Sequence, residues 1–186
     1  MGWVLPVGTP GGINSGFAAT QGPGGIVRFG SALVFLDTDS YRLWQHAAIG
    51  AEIEDVVNWG IQERIADAHG LVRALVEARL LIEAGPGLGS AVGGLAIRLI
   101  GECMGNGIDA GSRFVVVGTG GVRVEVDLFF FEVLLRCDGV SPISNICSEL
   151  ERARPGVLDR PLVDIIAEGL PLLVRHGVVR LDAVAR

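Results

Sequence analysis

Val122-Arg-Val-Glu-Val-Asp-Leu-Phe-Phe-Phe-Glu-Val-Leu-Leu-Arg-Cys-Asp-Gly139 changes its period partway along. Val122, Val124 and Val126 alternate with polar neighbours, the pattern of a half-buried strand. Asp127 then stands where a helix N-cap belongs, and Phe130, Phe131, Leu134 and Cys137 recur at helical spacing. Cys137-Asp138-Gly139 ends that helix, because Gly139 can take the left-handed conformation past a helix terminus. The stretch predicts a strand feeding directly into a helix.

Working outward, Arg113 to Val117 and Val122 to Val126 read as a hairpin across Gly118-Thr-Gly-Gly121. Downstream, Ser141 as N-cap and Pro142 at the first helical position open a second helix, with Ile143, Ile146, Cys147 and Leu150 on one stripe. A third helix is expected from about Asp159 to His176, kinked or divided at Pro171, with Gly177 as its stop. Val178 to Leu181 closes as a strand. Upstream, Leu95 to Ile100 reads as a strand and Gly101 to Gly111 as a loop.

The first half carries the same order. Ile26 to Phe29 and Leu33 to Leu36 are two short strands joined at Gly30-Ser31. Asp37 to Ser40 supplies an N-cap before Tyr41, Leu43, Trp44 and Ala47. A second helix follows with Ile53, Val56, Val57 and Ile61 inward, and a third from about Asp67 to Ala84 with Leu71, Leu75, Ala78 and Ile82 inward. Arg73 with Glu77, and Arg79 with Glu83, are i, i+4 pairs on exposed positions of it. A shift of ninety positions lays Asp37 on Asp127, Tyr41 on Phe131, Trp44 on Leu134 and Ala47 on Cys137. The expected fold is α+β, with two tandem winged-helix-like units, each a small β-hairpin plus three helices. Its expected parts are a flexible Gly/Pro-rich leader at 1–25, a first unit at 26–85, a Gly-rich linker at 86–94 and a second unit at 95–186.

Composition excludes several classes. The net charge is −6, which opposes phosphate tracking by the chain as a whole. All fifteen basic residues are Arg, read as the coding bias of a GC-rich bacterial genome. Cys103, Cys137 and Cys147 are odd in number and widely spaced, so neither a disulfide framework nor a C-x-x-C site is expected. The N-terminus lacks a basic n-region, and the apolar run Leu128 to Leu135 is too short to span a bilayer. A soluble cytoplasmic protein without membrane contact is expected.

Leu134-Leu-Arg-Cys-Asp-Gly-Val-Ser-Pro-Ile-Ser-Asn-Ile-Cys-Ser-Glu-Leu150 resembles the PqqD-like family, in which a hairpin leads into a helix ending in Cys-Asp-Gly and an Ile-centred second helix follows. Leu172 to Gly177 with Val178-Val179 is similar to the family's close of the third helix. The resemblance covers about residues 113 to 182. The first half shares it only through the internal repeat, with Ala48-Ile-Gly50 in place of Cys-Asp-Gly. These domains, also called RiPP recognition elements, bind the leader segment of a ribosomally made precursor peptide and present it to a modifying enzyme. The resemblance implies that the leader adds as a strand beside the hairpin and leans on the third helix. Carried onto this chain, the strand is Val122, Arg123, Val124, Glu125 and Val126, and the helix face includes Leu162, Asp164, Ile165 and Glu168. Arg123 and Glu125 would point away from the core.

Other constellations read plainly. Gly118 to Gly121 precedes a strand rather than a helix, so it is a turn and not a phosphate loop. His46, His69 and His176 are scattered, so no metal site is expected, and no G-x-S-x-G elbow occurs. Neither a cofactor nor a catalytic set is expected. Phe129-Phe130-Phe131 cannot all share one helical stripe, so Phe129 must project elsewhere. Two classes of function remain: a non-catalytic peptide-binding module, and a winged-helix transcription regulator. Asp164 and Glu168 on the candidate recognition helix oppose the second. A homodimer is left open, through residues 1–25 or through an unpaired strand edge.

Overall fold

Two aspartates start two helices in the same way. Asp37 accepts a hydrogen bond from the Ser40 amide at 2.8 Å, and Asp127 one from the Phe130 amide at 2.8 Å. Each satisfies a first-turn donor that the helix itself cannot. In the computed structural model, which describes residues 3–14, 23–48, 50–106 and 113–184, the chain is a mixed α+β fold with small antiparallel sheets. Its first part runs β1 (Trp3–Pro6), β2 (Thr9–Asn14), β3 (Gly24–Phe29), β4 (Ala32–Asp37), α1 (Thr38–Ala47), β5 (Ala51–Glu52), α2 (Ile53–Gln62), α3 (Ala68–Glu77) and β6 (Leu81–Ala84). A short helix, α4 (Gly89–Gly93), follows. The second part runs β7 (Leu95–Leu99), β8 (Glu102–Asn106), β9 (Arg113–Val117), β10 (Arg123–Asp127), α5 (Leu128–Arg136), α6 (Ile143–Ala153), α7 (Leu162–Arg175) and β11 (Val179–Ala183).

The pairings of the two parts correspond. β1 lies between β5 and β6, and β7 pairs with β11 and bridges to Pro142 ahead of α6. β2-β3-β4 and β8-β9-β10 are three-stranded meanders, each ending at an N-cap aspartate.

Residues 3–14 correct the expectation of a flexible leader over 1–25. Trp3-Val4-Leu5 is an apolar run without alternation because β1 is covered on both faces. Val4 packs among the helices of the first part, while Leu5 packs in the core of the second. Leu81 and Ile82 of β6 divide between the two cores in the same way. Trp44 clamps this sheet, its indole N–H donating to the Leu80 carbonyl at 3.0 Å. Residues 15–22 lie outside the described residues.

Further boundaries move. The helix expected to run to Ala84 stops at Glu77, where Arg79 takes a positive φ of 58° and the chain turns to pair with β1. Arg73 and Glu77 do pair, at 2.9 Å, but the expected helical pair of Arg79 with Glu83 is lost because Glu83 lies on β6. The linker over 86–94 contains α4, whose Val92 is fully buried and whose Gly89 amide donates to Asp164 at 3.0 Å. The loop expected over 101–111 begins with β8, whose ladder shifts register between Cys103 and Gly105. Pro171 does not divide α7, which is continuous from Leu162 to Arg175.

The two parts are sewn together. The Val7 segment bridges to Leu181, the Gly8 amide donates to the Leu181 carbonyl at 2.8 Å, and the Gly30 amide donates to the buried Asp182 carboxylate at 2.8 Å. Gly50 is required for this seat. Its φ is +64°, and a Cβ there would lie 2.8 Å from the Pro171 carbonyl oxygen. No helix among the described residues is long and apolar enough to cross a membrane.

Candidate functional site

β10 is the site's first wall. Its alternation buries Val124 and Val126 and leaves Arg123 and Glu125 exposed. Glu125 pairs with Arg113 at 3.0 Å across the solvent face. Among the described residues β10 pairs with β9 alone, so one flank is an open edge. The phase of the ladder says which backbone groups face it. The Gly118 amide donates to the Val122 carbonyl at 3.0 Å, and directly opposed antiparallel residues alternate between bonded and non-bonded pairs. Val124 with Val116 and Val126 with Phe114 are therefore bonded pairs. The N–H and C=O groups of Arg123 and Glu125 point away from β9 to the open flank, while the Asp127 carbonyl accepts the first bond of α5.

α7 is the second wall. Val122 and Thr119 share a cleft with Val174, Arg175, His176 and Gly177, and the Thr119 amide donates to the Gly177 carbonyl at 3.1 Å. At the other end of β10 the Phe130 ring packs directly on Gly169, where a Cβ would collide with it. β10 therefore runs beside α7 in the opposite sense. Ile165, Glu168, Leu172 and Arg175 recur on the flank of α7 next to Gly169. Leu172 on α7 is 48 % exposed, and Val122 at the start of the unpaired edge is 44 % exposed. At the Val122 end the cleft widens to about 460 Å³, and Arg175, His176 and Arg180 are the ionisable residues that line it.

The helix residues carried over from the family divide. Ile165 and Glu168 lie on the stripe, and Glu168 is held by the Arg160 guanidinium, which lowers the pKa of its carboxyl. Leu162 is corrected: it is fully buried and its amide donates to Glu151, so it cannot touch a ligand. Asp164 is also corrected, since its carboxylate turns toward α4 to accept from Gly89. Val124 and Val126 can offer the edge no side chain. Leu172 and Arg175 were missing from the set, although their i, i+7 and i+10 spacing from Ile165 signals them.

The Cys137-Asp138-Gly139 turn is architectural. Cys137 packs against the core, its thiol donates to the Val133 carbonyl at 3.1 Å, and burial pushes the thiol up to about 12. Asp138 accepts from the amides of Val140 at 2.8 Å and Ser141 at 2.7 Å, which hold its carboxyl down to about 2. Gly139 has a φ of +75° and donates to the Ile97 carbonyl, tying the turn to β7. Of the three adjacent aromatics, Phe130 and Phe131 are buried, Phe131 stacks on Phe114 at 4.5 Å, and Phe129 lies under Arg154.

Among the described residues no group of three or more His, Cys, Asp or Glu is placed to hold a metal ion. The geometry defines an α+β protein with an open-edged sheet beside an amphipathic helix. Comparison with family models, curated proteins and solved structures finds no match to this chain.

Proposed function

We propose that residues 95–183 form a non-catalytic module that captures an extended peptide by strand addition, and that the peptide is the leader of a ribosomally made precursor delivered to a modifying enzyme in the bacterial cytoplasm. The proposal includes the fold: residues 3–84 and 95–183 are two copies of a winged-helix-like unit, and the first copy braces the second. The carrying observation is the free flank of β10, where the outward backbone groups of Arg123 and Glu125 have no partner strand among the described residues, and which begins where Val122 shares a cleft with the end of α7. A peptide strand added there gains main-chain hydrogen bonds for affinity, and its alternate side chains meet two different surfaces. One set meets the apolar α7 flank. The other meets Arg123 and Glu125.

The test is titration of the labelled leader peptide encoded beside this gene. Glu125→Pro removes one outward donor without taking a bond from the β9 ladder, and it weakens binding about tenfold while the circular dichroism stays native. Leu172→Asp weakens binding through the other wall. Unchanged affinity in both variants would sink the strand-addition reading. A winged-helix regulator would instead need a basic face on α7, where Glu168 and Asp164 stand. Binding of random duplex DNA at low salt would favour that second reading.

A further inference from the structure

β4 is an edge strand of another sheet, and its chemistry is different from that of β10. Among the described residues it pairs with β3 alone. Leu33 is 59 % exposed and Phe35 is 49 % exposed on the face away from α1, and Ala32 to Leu36 carries no charge. An apolar, uncharged strand with a free flank is a template for pairing with another chain. Little protects it: there is no Pro and no bulge between β3 and β4, and its one charge is the terminal Asp37.

We propose that this edge pairs with the same edge of a second copy, joining two three-stranded sheets into one of six strands across a two-fold axis. The hairpin phase fixes which backbone groups are free. Phe29 and Ala32 flank the two-residue turn Gly30-Ser31, and such flanking residues form a bonded pair. Val27 with Val34 and Gly25 with Leu36 are then bonded as well. The N–H and C=O groups of Leu33 and Phe35 point outward, while the Asp37 carbonyl accepts the first bond of α1. An antiparallel copy centred on Val34 sets Leu33 opposite the other copy's Phe35, and Phe35 opposite its Leu33. Every outward donor on these two residues meets an outward acceptor, and the four large side chains form one apolar cluster.

Charge does not oppose this occupant. Arg28 lies opposite Leu33 on β3, on the same face. In the paired sheet the Arg28 of each copy stands diagonal to Asp37 of the other, with Cα atoms about 12 Å apart, and the two Arg28 residues lie roughly 16 Å from each other, so both the attraction and the repulsion act beyond the screening length. Opposite charges sit at the rim and apolar groups at the centre, as in a protein interface. A single strand pairing covers well under the roughly 800 Å² per partner of a standard interface, so the dimer is reversible. The proposal does not depend on peptide binding at β10.

The experiment is sedimentation equilibrium of the full chain from about 2 to 200 µM. The mass doubles from 19.5 kDa at the high end, and Leu33→Lys and Phe35→Lys, both at exposed positions, each hold the chain at the monomer mass. A second measurement reads the register. Val34 faces itself across the axis in a non-bonded pair with a Cα separation of about 4.5 Å, within disulfide reach. Val34→Cys therefore forms a covalent dimer under mild oxidant, whereas Leu33→Cys and the unsubstituted chain form far less. A chain that stays monomeric at 200 µM overturns the proposal and leaves the edge to a foreign strand. A dimer that survives both lysine variants also overturns it, placing the contact on another face.

Discussion

β4 and β10 end two meanders of the same topology, yet they present opposite surfaces. Both are unpaired on one flank and both stop at an aspartate that caps the next helix. On β10 the outward side chains are Arg123 and Glu125, and on β4 they are Leu33 and Phe35. Backbone availability alone does not choose a partner, because every edge strand offers it. Outward side chains choose, and so does the ground beside the edge. β10 has α7 as a second wall, fixed by Phe130 on Gly169. At the corresponding helical position the first part has Ser40, a small buried side chain that bonds back to Asp37 at 2.9 Å. The charged edge with a wall suits a selective peptide contact, and the apolar edge without charge suits a copy of itself.

The comparison breaks most easily at Phe130. Truncating this buried ring to alanine removes the wedge between β10 and α7 and costs about 3–5 kcal/mol of stability. In a chain of this size the melting temperature falls by roughly 10 °C, read by differential scanning calorimetry. Gly169→Ala attacks the same contact from the helix side by overpacking and costs about 1–3 kcal/mol. Equal losses from Ser40→Ala would show that the two helix starts do equivalent work and that Phe130 is no special brace.

Crossing the two edges sharpens it. Phe35→Lys leaves peptide affinity within about twofold while it dissolves the dimer. Glu125→Pro leaves the dimer intact while it weakens the peptide about tenfold. Fluorescence anisotropy and sedimentation on the same two proteins decide this. If either variant moves both readouts, the edges are coupled, and the division of labour drawn here is wrong.

The edge with the charged face was legible because its sequence changes period in one place. Val122 to Val126 alternates and Phe130 to Cys137 does not, so strand, cap and helix could be read within a residue of their ends. The same reading failed at β1. A strand buried on both faces has no period of two, and Trp3-Val4-Leu5 beside many glycines looks like unstructured chain. It failed at α3 for a related reason. Leu80-Leu81-Ile82 continues a helical stripe, and no Gly or Pro marks the break at Arg79. β8 was hidden by its register shift near Gly105. On α7 the phase of the helix was the missing quantity. Leu162, Ile166 and Leu173 turn to the core, which displaces Leu162 from the site and brings Leu172 into it.

The two N-caps test the topology at lower cost. Asp127→Ala removes the acceptor for the Phe130 amide and costs about 1 kcal/mol. Asp37→Ala costs slightly more, because Asp37 also accepts from the Ser40 hydroxyl. Chemical denaturation resolves a difference of this size if both variants unfold in one step. A much larger loss at Asp37 would mean that the cap also orders the β4 edge.

The smallest effect separates the two turns that follow these helices. Asp138 lies in the second turn, while the first has Ala48-Ile49-Gly50 and no carboxylate. The folded chain holds Asp138 at about 2 against an ordinary 3.8, because the carboxylate accepts from Val140 and Ser141. A group depressed on folding stabilises above its unfolded value, and that contribution disappears as pH falls through its folded value. The contribution from Asp138 is therefore present above about pH 4 and lost between about pH 4 and pH 2. Melting temperatures of the unsubstituted chain and of Asp138→Asn differ at pH 6 and converge toward pH 2. Parallel curves across that range would mean that the turn is held by Gly139 and its bond to Ile97, as Gly50 holds the first turn against α7, and that the carboxylate adds nothing of its own.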